Sequence, residues 1–248
     1  MSWGRLTTEN YRGVRLPRVL GIVLALVAVL STAAVAIGRG VEAAGWGALV
    51  GTLLVFWAGL IDDLYPVGPR GLRNHVRLLA RGHVTTGVLK MTVVGVCSVL
   101  VVALQPSRPL WIRVAGVVLV AACANVWNGL DVRPGRALKA FLVAGVCTVA
   151  VEWSLLPTLP GLLVLGTVPA LYFDLRERAM LGDGGSNLLG FTAGLGLYLQ
   201  LPGWGVGGAA VLAVALNVLA DTVTFSRLIE AAAPLRWLDG LGRVRANG

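Results

Sequence analysis

Charged side chains are scarce in this chain. Only 13% of its 248 residues are Asp, Glu, Lys or Arg, whereas 56% are hydrophobic. A soluble globular domain carries about 25% charged residues, so the composition excludes an ordinary soluble fold. Uncharged apolar runs of about 18 or more residues recur along the whole chain, which is typical of transmembrane helices. The sequence therefore predicts a polytopic membrane protein.

Histidine and cysteine are also rare. The chain has two histidines, His75 and His83, and three cysteines, each of which lies inside an apolar run. The cysteines lack Cys-x-x-Cys spacing and have no histidine nearby, which excludes the usual zinc and redox motifs. They are expected to be small buried hydrophobic residues.

Acidic residues are fewer than basic ones, 12 against 21, which gives a formal net charge of +9. Nucleic-acid binding is excluded as an explanation because no soluble basic domain exists to carry it. The excess of basic residues is instead typical of the cytoplasmic loops of membrane proteins.

The apolar runs predict an all-α bundle of about eight transmembrane helices. No internal repeat and no low-complexity linker divides the chain, so residues 1–248 are expected to form a single integral membrane domain. The predicted spans are about 17–38, 43–61, 84–104, 110–128, 138–156, 160–174, 187–201 and 204–222.

The basic residues predict the orientation of these spans. If the N terminus is cytoplasmic, the segments on the opposite side contain only Arg39, Arg108 and Arg113, and Lys90 lies within the third span. This asymmetry favours a multi-pass plasma-membrane protein with both termini cytoplasmic. An alternative for the first span is a cleaved signal peptide, although the run is longer than a usual signal-peptide core.

With that orientation, the polar residues collect in three cytoplasmic loops at the ends of even-numbered spans, whereas the outer loops carry almost none. A transporter would instead place ionisable groups near the middle of its spans. Clustered Asp and Asn oxygens beside Arg and Lys suit Mg²⁺ and phosphate groups. The candidate residues are Asp62, Asp63, Asn125, Asn128, Asp131, Arg133, Arg136, Lys139 and Asp183.

The loop before the seventh span reads LGDGGSNLLG. Its glycines allow close backbone approach, and Ser186 or Asn187 is expected to cap the span that follows. A helix N-terminus beside glycines is suited to binding an anion.

Each of these groups has a structural alternative when taken alone. The Asp62–Asp63 pair could mark a hydrated span end, Asn125 and Asn128 could join helices, and Asp131 could pair with Arg133. The arginines could serve only to set the topology. All of these candidate residues are predicted to lie on the same side of the membrane, and this coincidence favours a functional site.

These motifs together resemble the polyprenyl-phosphate N-acetylhexosamine-1-phosphate transferases, which include phospho-N-acetylmuramoyl-pentapeptide transferase. The resemblance covers about residues 55–200 and rests on motif order, sidedness and spacing. The matching motifs are Gly59-Leu60-Ile61-Asp62-Asp63, then Asn125, Asn128 and Asp131, then Gly182-Asp183-Gly184-Gly185-Ser186.

The resemblance implies an enzyme that transfers a sugar 1-phosphate from a UDP-N-acetyl sugar to a polyprenyl phosphate, releasing UMP, for envelope glycan synthesis. It implies Mg²⁺ as cofactor, with Asp183 and Asp62 as metal ligands, and it points to a homodimer. The implied catalytic residues are Asp62, Asp63, Asp131 and Asp183. The implied substrate-binding residues are Asn125, Asn128, Arg133, Arg136, Lys90, Gly184 and Ser186.

The chain also departs from that family. Pro134 stands where relatives carry a second Asp, no histidine follows His83, and eight spans is fewer than the usual ten or eleven. We therefore expect Arg133 and Arg136 to replace missing phosphate contacts. Two alternatives remain open: an inactive or repurposed relative that binds a lipid-linked intermediate, and a membrane transporter or flippase.

Overall fold

The computed structural model describes residues 6–67, 77–151, 158–222 and 225–244. The described part is almost entirely helical, so the predicted all-α class is confirmed. A short antiparallel hairpin of β1 (Thr7–Glu9) and β2 (Arg15–Pro17), which the sequence did not suggest, precedes the first helix. The helices are α1 (Leu20–Arg39), α2 (Ala43–Leu64), α3 (Thr86–Ala103), α4 (Leu110–Leu130), α5 (Arg136–Val151), α6 (Leu159–Leu175), α7 (Gly182–Gln200), α8 (Gly203–Thr222), α9 (Phe225–Ala231) and α10 (Ala233–Gly240).

Each of the eight predicted spans coincides with one of the helices α1–α8, although the end of the fifth lies outside the described residues. Helices α1, α2, α3, α4 and α8 are long and apolar enough to cross a membrane, and α6 is a shorter apolar helix. Large apolar side chains on α1 point outward, including Leu26, Leu30 and Ile37. Apolar surface of this kind suits lipid rather than water. The protein is therefore a polytopic membrane protein.

Helix α7 forms the centre of the bundle. Nearly every residue from Gly182 to Gly196 is buried, and the helix packs mainly against α2 and α4. Glycines make this packing possible, because a Cβ at Gly190 would lie 2.4 Å from the carbonyl oxygen of Cys123. A Cβ at Gly194 would lie 2.7 Å from the Cα of Val120. Small residues of this kind let membrane helices approach closely, so the surrounding helices shield the less apolar α7.

The start of α7 corrects one prediction. The helix begins at Gly182, about five residues before the predicted span, and its N-cap is Leu181 without a side-chain cap. Ser186 and Asn187 are therefore not caps, since they lie inside the helix and hydrogen-bond to the carbonyl oxygen of Asp183. The glycine-rich stretch is helical because Gly184 and Gly185 fit against α2 and α1, a tertiary contact that its local composition does not reveal.

Arg108 closes the other end of α7. Its guanidinium donates to the carbonyl oxygens of Tyr198, Leu199 and Leu201, at 2.9 to 3.2 Å, and lies 5.0 Å from the centre of the Tyr198 ring. These carbonyls belong to the last turn of the helix, where a cation is favourable.

We expect Arg108→Ala to lower the free energy of unfolding by about 2 kcal/mol, because several carbonyls lose a charged donor at once. The measurement is the thermal midpoint of the purified protein in detergent. Arg39→Ala is the matched control, since Arg39 is exposed at the end of α1. Equal shifts in the two variants would contradict a capping role for Arg108.

The N-terminal hairpin packs on the connection between α6 and α7. Asn10 and Arg12 donate to the carboxylate of Glu177 at 2.8 and 2.7 Å. The backbone amide of Met180 donates to the carbonyl oxygen of Pro17 at 2.8 Å. These contacts fix the chain just before α1, which places Arg18 beside the beginning of α7.

Candidate active site

The two adjacent aspartates at the end of α2 have different partners. Asp62 pairs with Lys90 of α3, whereas Asp63 pairs with Arg18 at the entrance to α1. The site is thus built from segments that are far apart in sequence, and each carboxylate is met by its own cation.

Lys90 joins two carboxylates from different helices. Its Nζ lies 2.8 Å from Oδ2 of Asp62 and 2.6 Å from Oδ2 of Asp183. The hydroxyl of Thr86, one turn earlier on α3, donates to the other oxygen of Asp62. The Asp183 side chain remains 37% exposed, so this end of the cluster is open to solvent. One ammonium group between two carboxylates offsets the repulsion that they would otherwise have.

Asp63 is almost fully enclosed. Its Oδ1 accepts from Nη1 of Arg18 at 2.6 Å, and its Oδ2 accepts from the backbone amide of Gly184 at 3.1 Å. Arg18 also donates to the carbonyl oxygen of Asp63 at 2.7 Å. A carboxylate at the first turn of α7 is favourable because the helix dipole is positive there. Asp63 therefore ties α1, α2 and α7 together, and its side chain is 6% exposed.

Close backbone contact keeps the ends of α2 and α7 in place. A Cβ at Gly59 would lie 2.6 Å from the carbonyl oxygen of Asp183, so only glycine fits without movement. The predicted Gly-Leu-Ile-Asp-Asp motif thus brings the backbone of α2 against the first turn of α7.

The middle motif reaches the same end of the bundle. Asn128 accepts a hydrogen bond from the hydroxyl of Ser186 at 3.1 Å. Asp131 follows α4 as its C-cap and is partly exposed. Although part of the residue reaches the surface, the protein around its carboxyl group excludes water and raises the pKa of Asp131 well above its usual value, and the nearby carboxylates of Asp174 and Asp183 raise it further. Asp131 therefore holds a proton more readily than an isolated aspartate would.

Asn125 has a different environment from Asn128. Its side-chain amide donates to Oδ1 of Asn217 on α8 at 2.5 Å. Asn217 donates in turn to the carbonyl oxygen of Ala122 at 3.0 Å. The structure thus places Asn125 in a contact between α4 and α8. The sequence left open the alternative that Asn125 joins helices, and this contact is of that kind.

The basic residues after Asp131 contact the C-terminal segment. Arg133 pairs with Glu230 at 3.0 Å and lies 5.0 Å from the centre of the Tyr11 ring. Arg136 is buried and donates from Nε and Nη2 to the two oxygens of Asp239 at 2.9 and 3.0 Å. Asp239 would have to release Arg136 before this guanidinium could contact a phosphate.

Lys139 and Arg243 complete this contact. Lys139 donates to the carbonyl oxygens of Leu238 and Asp239, at 3.0 and 2.9 Å. Arg243 bonds both to Asp239 and to the carbonyl oxygen of Pro134. The start of α5 and the loop before it are therefore attached to α10 and to Arg243, just after α10, at several points.

The Asp239 cluster predicts a pH dependence at the C-terminal segment. Burial alone would raise the pKa of Asp239, but Arg136 and Arg243 outweigh it and hold the pKa below 3.8. Because the folded-state pKa is depressed, the stabilisation is complete above pH 3.8 and is lost as pH falls through the folded value.

We expect Asp239→Asn to lower the thermal midpoint at pH 6 and to remove the part of the acid-induced decline that Asp239 causes. The measurement is the thermal midpoint between pH 6 and about pH 2.5. Glu9→Gln is the control because Glu9 is an exposed carboxylate on the hairpin. Parallel pH curves for Asp239→Asn and the unaltered protein would contradict the assignment.

The donors at the open end of the cluster suit Mg²⁺. Within the described residues, no three His, Cys, Asp or Glu side chains converge closely enough to hold one metal ion. Mg²⁺ commonly binds through one or two carboxylates and completes its shell with water and substrate phosphates. Asp62 and Asp183 already share one cation, the Lys90 ammonium, so their oxygens face a common point. The residues present therefore fit this kind of ion.

Some residues of the predicted site were missed or lie elsewhere. The charged clusters at this end of the bundle also include Arg18, Asp174 and Asp239. None of these three residues was given a catalytic or binding role from the sequence. Asp174 is buried and accepts from the backbone amide of Gly135 at 2.6 Å. Of the two histidines, His83 is exposed and His75 lies outside the described residues.

These observations define a class of protein: a helical membrane protein that gathers carboxylates and their cations at one end of its bundle. A family model described as glycosyl transferase family 4 matches residues 45–200, more than half of the chain. The chain therefore belongs to glycosyl transferase family 4, the family of phospho-N-acetylmuramoyl-pentapeptide transferase and the polyprenyl-phosphate hexosamine-1-phosphate transferases.

This match confirms the resemblance drawn from the motifs and supports a membrane-bound transferase of the polyprenyl-phosphate sugar-1-phosphate type in general. No curated protein matches the chain closely enough for comparison. The hairpin, Arg18, α1 and helices α8–α10 lie outside the matched residues.

Proposed function

We propose that this protein transfers a sugar 1-phosphate from a UDP-N-acetyl sugar to a polyprenyl phosphate. The products are UMP and a lipid-linked sugar diphosphate for an envelope glycan, made at the cytoplasmic face of the plasma membrane with Mg²⁺ as cofactor. The observation that carries the proposal is the Lys90 contact with Asp62 and Asp183, since it joins the first and last motifs, on α2 and α7, through α3. Carboxylates for a metal beside a fixed cation are the parts that phosphoryl transfer needs.

In the proposed reaction, an oxygen of the lipid phosphate attacks the β-phosphorus of the UDP-sugar. A new P–O bond forms, the bond between the β-phosphorus and the bridging oxygen breaks, and the electron pair leaves with UMP. Asp183 and Asp62 would hold Mg²⁺. The bound ion would neutralise charge on the diphosphate. Lys90 holds both carboxylates and supplies a positive charge beside the reacting phosphates.

The surface around Asp62 suits a lipid substrate. Ile61 and Leu89, which precede Asp62 and Lys90 in the chain, both have exposed apolar side chains, as does Tyr65. A polyprenyl chain lying against this surface would present its phosphate at the Asp62–Lys90 pair. The site thus combines lateral access from the lipid with access from water at Asp183.

The remaining polar groups would position the donor substrate. Asn128 and Ser186 are joined across α4 and α7, and Asp131 lies at the end of the same turn. Their amide, hydroxyl and carboxyl groups would orient the nucleotide sugar, while Gly184 keeps the first turn of α7 close to α2.

The test incubates the purified protein in detergent with undecaprenyl phosphate, Mg²⁺ and a panel of UDP-sugars. UMP release and the lipid product, detected by mass spectrometry, are measured together. We expect both with at least one UDP-N-acetyl sugar, and neither without Mg²⁺ or without the lipid. No release with any sugar, while a known family member is active in parallel, would instead favour an inactive or repurposed relative.

A further inference from the structure

Helix α10 (Ala233–Gly240) turns its acidic residue, Asp239, inward and leaves its large apolar side chains exposed. Asp239 contacts Arg136, the first residue of α5, and Arg243, which follows the helix, contacts Pro134 in the loop between α4 and α5. Leu235, Trp237 and Leu238 lie on other sides of the helix and are 47%, 66% and 49% exposed. Leu241, directly after the helix, is exposed as well.

This arrangement is the reverse of that in a helix on a water-soluble surface, where the apolar side faces the core. At about 100° per residue, Leu238 and Trp237 lie about 100° and 160° around the helix from Asp239, so they face away from the contact with α5. Leu235, one turn before Asp239, lies at the edge of that side. The described residues provide no cover for the outward side, as all residues named there remain at least 42% exposed.

The position of α10 indicates what covers it. Helix α8 spans 20 residues, about 30 Å, which is the thickness of the hydrocarbon core. Helices α9 and α10 follow directly after α8, and α10 touches Arg136 and Lys139 in the first turn of α5. Helix α8 ends and helix α5 begins at this level. Helix α10 therefore lies at the depth where the bilayer meets water.

The side chains around α10 also suit a lipid surface. A tryptophan is favoured at the membrane–water boundary because its ring is apolar and its N–H is polar. Arg236 is exposed between Leu235 and Trp237 in the sequence, Arg227 on α9 is exposed as well, and cations at this level attract anionic headgroups. We propose that α10 is an interfacial helix whose Leu235, Trp237, Leu238 and Leu241 side chains insert into the bilayer surface next to the active site.

This insertion would link the lipid surface to the loop that carries Asp131. Arg243 binds the carbonyl oxygen of Pro134, and Asp239 binds Arg136, so α10 and the residues that follow it contact the chain on both sides of Gly135. The membrane-bound helix therefore serves as a fixed support for the middle motif. The inference rests on the membrane fold and does not depend on the proposed reaction.

Depth measurements with a nitroxide spin label test the proposal in the intact protein, reconstituted in nanodiscs of phosphatidylglycerol and phosphatidylcholine. Cys97 and Cys123 are buried, so Cys147→Ala alone removes the exposed native thiol. Leu238→Cys and Leu241→Cys then carry the label on the apolar side. Arg236→Cys is the matched control, because Arg236 is exposed and lies about 160° around the helix from Leu238.

Labels at 238 and 241 are expected about 5–10 Å below the phosphates. Their ratio of oxygen to nickel-chelate accessibility should be several-fold higher than that of the label at 236. Equal nickel-chelate accessibility at all three positions would place the helix in water and overturn the proposal. Protection of 238 and 241 from both reagents would mean that protein, such as a second copy of the chain, covers this side, and would also overturn it.

Discussion

An Asp183→Asn variant is expected to release UMP on the order of 10²–10³-fold more slowly than the unaltered protein. The carboxylate of Asp183 lies 2.6 Å from Lys90, is open to solvent and is the proposed metal ligand. An amide of the same size removes the negative charge that contacts Lys90 and that the proposed Mg²⁺ would need. The backbone is expected to keep its shape, because Asn187 bonds to the carbonyl oxygen of Asp183 and not to its side chain.

Two further variants separate chemistry from stability. Glu42→Gln removes a carboxylate at the other end of α2, where the side chain makes no cap hydrogen bond, and should leave the rate unchanged. Lys90→Met should be slow as well, and combining it with Asp183→Asn should add little, because residues that act as one unit are not additive. Near-normal UMP release by Asp183→Asn would contradict the assigned role of Asp183.

The convergence of the motifs was predictable because it follows from span lengths. An apolar run fixes where each helix ends, so residues at the ends of α2 and α4 and at the start of α7 share one end of an antiparallel bundle. That reasoning placed Asp62, Asp131 and Asp183 on one face, where they converge if the spans pack in a bundle. The side of the membrane on which they lie is still a prediction from the basic residues.

The partners of those residues could not be predicted in the same way. Arg18 and Asp63 are 45 positions apart, and Arg136 and Asp239 are 103 apart. No helical or strand period links residues at such distances, and arginines near span ends have a sufficient explanation in topology. Only the packing of α1 on α7, and of α10 on α5, shows that these arginines neutralise particular carboxylates.

The start of α7 shows a second limit of sequence reasoning. Glycines and a serine are typical of loops, so the pattern placed the helix start after them. In the bundle, however, Gly184 and Gly185 lie where neighbouring helices leave no room for a Cβ. Tertiary packing therefore overrides the local preference, and the motif belongs to the helix.

Arg18→Met is expected to produce the largest loss of stability, about 3–5 kcal/mol of unfolding free energy, because it leaves a buried carboxylate without its cation. The Asp63 side chain is 6% exposed, and both of its oxygens are used by Arg18 and Gly184. The thermal midpoint in detergent measures the loss. Arg18 lies outside the residues that match the family model, so this contribution to stability comes from a part of the chain that the match does not cover.

Adding Asp63→Asn to Arg18→Met distinguishes a charge effect from simple loss of packing. The asparagine has no charge to compensate, and its oxygen can still accept from the amide of Gly184. The double variant should therefore be more stable than Arg18→Met alone, which is the sign of coupling between the two side chains. If the double variant is less stable by the sum of the two single losses, Arg18 acts through packing alone. In that case the ion pair does not hold α7 in place.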